Sequence, residues 1–326
     1  RSGGGRSSAA PAQASRPTLS FESLVNVLRY FALLGAIPCV ARAQRATTDT
    51  TTLAPVVVTA TRTTSTAGAA TLSTTVISGD DLRARGVTTV LAALRETPGV
   101  AVVQGGSFGQ QTSIFLRGGQ SNYTQVLVDG VVMNDPGGAI DFANLTTDNI
   151  DRIEIVRGPS SVLYGANAVS GVIQIFTRRG TGPAHLSAWA RGGTYGTREG
   201  ELSALGGSER FGYSLSAAQH NTNGIYDVNS AARNGTYSAR LRLTPDARSD
   251  VSLSLRYVDA GAHVATNGNG VPNDSNQTHT ERRFIGSLDA GRFFTSRLEG
   301  RVSLGATDAD ARSEDRPDSP DDSDFP

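Results

Sequence analysis

Arg210-Phe211-Gly212-Tyr213-Ser214-Leu215-Ser216-Ala217-Ala218-Gln219 alternates apolar and small polar residues with a period of two. Phe211, Tyr213, Leu215 and Ala217 fall on one face of an extended chain, and Gly212, Ser214 and Ser216 on the other. The pattern recurs on both sides of this stretch. Segments at 184–191, 197–205, 210–219, 236–243, 250–258, 283–293 and 297–306 each run for about ten residues, the length at which a tilted strand crosses a bilayer. Tyr237, Ala239, Leu241 and Leu243 oppose Ser238, Arg240 and Arg242; Val251, Leu253, Leu255 and Tyr257 oppose Ser252, Ser254 and Arg256. The connections sort as well. Those at 206–209, 244–249 and 294–296 are short, whereas 220–235 and 259–281 are long and rich in Asn, Gly and Asp. A soluble sandwich also alternates but need not sort its loops, so 183–326 reads as the first part of an antiparallel transmembrane β-barrel. Single-chain bacterial barrels close with an even strand number, so about seven strands imply a truncated barrel. The acidic stretch 308–326 is then expected to begin a third long loop.

Composition narrows the class. The chain has 326 residues, and 30 basic residues, all Arg, balance 30 acidic ones. Zero net charge excludes a strongly basic nucleic-acid binder. No run of 18 apolar residues occurs, which excludes a helical membrane bundle. Residues 1–43 read as a leader and secretory signal: Arg29, an apolar run over 30–40, then Ala41-Arg42-Ala43 as the cleavage site. Cleavage there removes Cys39, the single cysteine, so disulfides and thiolate chemistry are not expected.

Between the signal and the barrel lie two further parts. Residues 44–70 are polar and flexible except for Pro55-Val56-Val57-Val58-Thr59-Ala60-Thr61-Arg62. A β-branched strand with no partner nearby is a template for addition to another protein's sheet, or else the first strand of the domain C-terminal to it. Residues 71–182 read as a compact α+β domain. Strands are predicted at 71–77, 100–104, 113–116, 125–128, 150–156 and 172–177. A helical turn capped by 78–81 and a helix over 88–96, with Val90, Leu91 and Leu94 on one stripe, complete it.

Catalytic patterns are missing. The four histidines, His185, His220, His263 and His279, fall in no metal spacing, and no Gly-x-Ser-x-Gly elbow occurs. The glycine run 105–109 lacks the Lys-Ser/Thr that ends a phosphate loop. His220 with Asp227 reads as a loop pair without a nucleophile. No enzyme, no resident cofactor and no metal centre are expected.

The order of parts and several exact stretches resemble the TonB-dependent outer-membrane receptors. These are the box at 55–62; Ile114-Phe115-Leu116-Arg117-Gly118; Val126-Leu127-Val128-Asp129-Gly130; and Ile153-Glu154-Ile155-Val156-Arg157-Gly158-Pro159, continuing to Leu163-Tyr164-Gly165-Ala166-Asn167-Ala168. The spacing is most similar to the cobalamin receptors, with ferric-siderophore receptors sharing much of it; a passive porin or adhesin is the rival from another class. The resemblance implies a plug in a bacterial outer-membrane barrel. It also implies a TonB box at Val56, Val57, Val58, Thr59, Ala60 and Thr61, and TonB with its inner-membrane energising complex as partner. Ligand contacts are implied at Thr112, Ile114, Ser121, Ala139 and Ile140. Plug arginines Arg117, Arg152 and Arg157, with Arg178 and Arg179, are expected to pair with lumen acids such as Glu199 and Glu201. Calcium in the outer loops is a further implication, weakened because only Asp227, Asp259 and Asp274 are available there.

Overall fold

The computed structural model describes residues 73–266 and 271–316, together with the backbone of Val56–Val57 (β1) and Ser65–Thr66 (β2). The signal segment 1–43 and residues 58–61 of the box lie outside the described residues.

Strand β3 (Ser73–Ser78) leads into α1 (Gly79–Ala84) and α2 (Val90–Arg95). Each helix starts where the sequence supplies a cap. Ser78 Oγ accepts from Asp80 N at 3.2 Å, and Thr89 Oγ1 accepts from Ala92 N at 3.2 Å, satisfying N–H groups that a helix start leaves open. The stripe of α2 buries Val90, Leu91 and Leu94 as expected. Strands β4 (Val100–Gln104) and β5 (Thr112–Leu116) form an antiparallel pair. After a 3₁₀ turn (Ser121–Tyr123) come β6 (Thr124–Val128), β7 (Val131–Val132), β8 (Ile150–Arg157), the short α3 (Ser161–Tyr164) and β9 (Gly171–Thr177). Five strands make a sheet in the order β3-β8-β9-β6-β7, with β6 and β9 parallel. Its core is aliphatic: Ile153, Ile155 and Ile173 are fully buried with Val126, Leu82 and Leu94. Each such side chain contributes roughly 1.5–3 kcal/mol on burial.

The second part is a seven-stranded antiparallel sheet in sequence order. Its strands are β10 (His185–Gly192), β11 (Arg198–Gly207), β12 (Phe211–Thr222), β13 (Ala232–Asp246), β14 (Ser249–His263), β15 (Thr278–Phe293) and β16 (Glu299–Glu314). Its faces have the polarity expected of a barrel wall. Phe211, Leu215, Leu241 and Leu243 are exposed on the outer face, whereas Ser214, Ser216, Ser238 and Arg240 are buried against the plug.

The strands run further than their apolar alternation. Residues 220–222, 232–235, 259–263 and 278–281, read from sequence as loop, belong to strands, and 308–314, read as the start of a loop, belongs to β16. Alternation marks only the part of a strand that faces lipid. Above it the outer face turns polar at Asp259, Arg282 and Asp310 while Ala232, Ala260 and Ala262 are buried on the inner face, and the ladder continues because its partners are neighbouring backbone. The short connections 208–210, 247–248 and 294–298 lie on one rim; the longer loop 223–231 and the described residues 264–266 and 271–277 lie on the other, together with one short connection, 193–197.

Candidate functional site

The plug meets the wall along a seam of hydrogen bonds arranged by strand register. Nearest the short turns, Asp129 follows β6 in the left-handed region (φ 47°), which turns its buried carboxylate outward. Oδ1 accepts from Arg240 Nη1 at 2.6 Å and from Thr177 N at 3.0 Å; Oδ2 accepts from Ser254 Oγ at 2.5 Å and Thr177 Oγ1 at 2.6 Å. One plug carboxylate is thus tied to two wall strands.

At mid-height the plug segment 144–149 crosses the lumen without regular structure, yet it is buried throughout. Its carbonyls need donors, and the wall provides them. Arg256 Nη2 donates to Thr146 O and Nη1 to Asp148 O, each at 3.1 Å. Asn149 accepts from Ser214 Oγ at 2.7 Å and donates to Ser238 Oγ at 2.9 Å. Asn144 donates to Glu281 Oε2 at 2.7 Å, and Asn234 donates to Asn144 O at 3.1 Å. Arg283 reaches Met133 O and Asp135 Oδ1, both at 3.1 Å. Among the described residues the buried Nε atoms of Arg240, Arg242 and Arg256 of the wall have no hydrogen-bond partner.

His220, only 1% exposed, closes a circuit between the two parts. Its Nε2 lies 2.9 Å from Asp148 Oδ2 of the plug, and its Nδ1 lies 3.4 Å from Glu199 Oε1 of the wall. Glu199 accepts from Arg191 Nε at 2.7 Å, and Arg191 Nη1 donates back to the plug at Gly86 O at 3.0 Å. Asp227 takes no part in this circuit. Among the described residues no group of three His, Cys, Asp or Glu converges as a metal site. Asp274 accepts from the backbone of Asn276 and Gln277, and Asp259 pairs with Arg233, so the loop acids are occupied separately.

Of the arginines expected to bridge plug and wall, Arg178 feels the charge of Glu201 and Arg179 that of Arg240, whereas Arg117, Arg152 and Arg157 act otherwise. Arg152 binds Asp151 and Glu154 and lies over the Phe176 ring at 4.1 Å. Arg157 donates to Ser73 and Thr75 of β3, and burial, with Arg117 nearby, lowers its pKa. Arg117 is exposed, with φ 51° and its N–H on Gly99 O. Glu201 accepts from Trp189 Nε1 and Ser216 Oγ within the wall, and Glu199 reaches the plug only through His220 and Arg191. The cations of the seam stand mainly on the wall because the plug presents carbonyls there, which need donors. Single-sequence reading has no means to see this, since Arg240, Arg256 and Arg283 share the alternation of their strands.

Toward the long loops, Gly109 (φ 83°) approaches Ala232 and Ala262 so closely that an added Cβ would stand 3.0 Å from each, and Gln110 Nε2 donates to His263 O at 2.6 Å. A cavity of about 310 Å³ opens beside them, lined by Gln110, Gln111, Asp141, Gln277, His279 and Ser313 among others. Burial pushes the Asp141 carboxyl up despite its bonds from Thr112 N and Ala143 N. Of the expected ligand contacts, Thr112, Ile114 and Ile140 are buried, the last two in the aliphatic core; Ser121 and Ala139 are accessible. Backbone of Val56 and Val57 pairs antiparallel with Thr66 and Ser65, so this part of the box has a partner in its own chain.

Comparison with known proteins agrees with this architecture. Residues 66–172 match the TonB-dependent Receptor Plug Domain. Over 105 residues the chain is 40% identical to the Vitamin B12 transporter BtuB of Vibrio vulnificus, a match covering 32% of this chain and 17% of that protein. The fold matches the ferric yersiniabactin uptake receptor FyuA of Yersinia pestis (TM-score 0.62, 18% identity) over 76% of this chain and 42% of that one. It also matches BauA, the ferric preacinetobactin receptor of Acinetobacter baumannii (TM-score 0.65, 13% identity), over 78% and 40% respectively. The chain therefore spans less than half the length of these relatives. Residues 66–172 are thus a TonB-dependent receptor plug domain, and the seven-stranded antiparallel sheet that follows has the fold of the barrel portion of such receptors.

Proposed function

We propose that this chain is the plug and adjoining wall of an energised importer for a scarce, bulky ligand, with cobalamin as the preferred cargo. The seam carries the proposal. A plug held by hydrogen bonds can exchange them for water and rearrange under force, whereas a buried aliphatic interface would oppose separation over its whole area. A passive porin or adhesin gains nothing from such a seam, nor from a β-branched box below it. The box at Val56, Val57, Val58, Thr59, Ala60 and Thr61 serves as the strand that TonB adds to its own sheet, transmitting inner-membrane energy. Cobalamin is favoured by the 40% identity to BtuB over 105 residues. A ferric siderophore is the second reading, favoured by the fold likeness to FyuA and BauA.

Two measurements test this. Full-length receptor in outer-membrane preparations is titrated with labelled cobalamin and with ferric siderophores; saturable tight binding of cobalamin alone supports the first reading, and of a siderophore alone the second. Separately, Val58→Pro removes a ladder donor and is expected to abolish uptake while binding persists. Normal uptake by this variant refutes the TonB coupling.

A further inference from the structure

Toward the short-turn rim, beside the Asp129 knot, the seam opens into a cavity of about 590 Å³ lined by the plug on one side and by the inner face of β13 to β16 on the other. The charges around it do not cancel one another locally. Arg240 is paired with Asp129 at 2.6 Å. Arg301 takes Asp250 at 3.0 Å, and Asp289 as well. These pairings occupy every carboxylate that lines the cavity. Two lining cations are left over. Arg179 stands two residues past β9, and Arg242 two residues past Arg240 on the same face of β13. Among the described residues neither has an ion-pair partner, and Arg242 donates only from Nη1, to Thr244 Oγ1 at 3.3 Å. The Nε atoms of Arg240, itself 8% exposed, and of Arg242 are buried without an acceptor. Burial, with Arg240 and Arg152 nearby, lowers the Arg179 pKa.

Guanidinium groups gathered around one cavity without carboxylates of their own repel one another, and an anion between them removes that repulsion and accepts the donors left over. The donors come from opposite sides. A carboxylate offers two oxygens along one edge, which a single guanidinium fork satisfies; a tetrahedral oxyanion offers oxygens in several directions, so forks from plug and wall can share it. The hydroxyls of Ser252 and Ser287, on the inner faces of β14 and β15, line the same cavity and supply neutral donors. We propose that this cavity binds a phosphate-class oxyanion between Arg179 of the plug and Arg240 and Arg242 of the wall. Asp129 is a fastening the plug carries with it; the anion is a second fastening, present only while the ion is bound. The volume admits a hydrated free phosphate or a phosphate esterified in a larger molecule passing along the seam. The site goes beyond the uptake reading and does not depend on which cargo is carried.

Full-length receptor in detergent, in chloride buffer free of phosphate and sulfate, is titrated with inorganic phosphate and followed by phosphorus NMR line broadening, with acetate and dimethyl phosphate as competitors. Saturable phosphate binding is expected, with acetate about tenfold weaker. The double variant Arg179→Gln/Arg242→Gln should weaken phosphate binding by about tenfold, and Arg292→Gln, an exposed wall arginine at the same rim, should not. Absence of saturable binding to the wild-type protein, or acetate competing as well as phosphate, overturns the proposal without relying on any variant. Equal loss in Arg292→Gln overturns it too, because net charge alone would then explain the binding. Displacement by dimethyl phosphate assigns the site to an esterified phosphate, and resistance to it assigns the site to the free ion; the oxyanion site stands in both cases. A receptor that imports its cargo but binds no phosphate loses this site and keeps the uptake reading, and one that binds phosphate but imports nothing does the reverse.

Discussion

In the plug, Ile153, Ile155 and Ile173 face one another and exclude water; in the wall, Leu215, Leu241 and Leu243 face away from the protein, and serines and arginines fill the inside. The same residue types are placed by opposite rules because the surrounding solvents differ. The plug must hide its apolar surface to fold, whereas the wall must show it to lipid and satisfy its polar face within. The seam is where the two polar faces meet, which is why it is built mainly from hydrogen bonds, with Ile285 of the wall joining the plug's aliphatic cluster.

Three substitutions break or sharpen this contrast, in order of expected effect. Asp129→Ala leaves Arg240 buried without its carboxylate, and removing one partner of a buried pair costs about 3–5 kcal/mol. The loss should appear as plug release at lower urea, seen by faster amide exchange over 124–132 and 171–177; unchanged exchange would mean the seam does not hold the plug there. Ile153→Ala, fully buried, should cost about 2–5 kcal/mol and lower the plug's unfolding midpoint while the wall stays heat-resistant on gels. Equal loss in both parts would show that they unfold as one unit. Leu241→Arg, on the lipid face, should cost about 2–4 kcal/mol near mid-bilayer and act on insertion of the wall, sparing the plug. If Leu241→Arg were neutral, that face would not be in lipid.

Much of the architecture is legible in the residues. Ser78 and Thr89 announce their helices through capping chemistry, β4 is bounded by its neighbours Pro98-Gly99 and Gly105-Gly106, and the alternation of β12 to β14 assigns the outer face directly. The seam is not legible. His220 looks like a loop residue because its partners Asp148 and Glu199 lie 72 and 21 positions away, and no local pattern records that distance. Position alone matches Ile114 and Ile140 to a ligand role, yet their side chains are aliphatic and the core claims them. Strand ends read from sequence fall short for a related reason: outside lipid the period-two signal fades while the ladder persists.

The way Arg256 and Arg283 grip the plug has a consequence for divergence among such receptors. Their guanidinium groups hold main-chain carbonyls of Thr146, Asp148 and Met133, atoms that every residue carries. At these three points the lumen is keyed to the path of a chain and not to its spelling, whereas Asp129, Asn144, Asp148 and Asn149 are held by their side chains. A stopper transplanted from a distant relative would need, besides the same backbone course, matching side chains at the places of Asp129, Asp148 and Asn149 to seat in this wall.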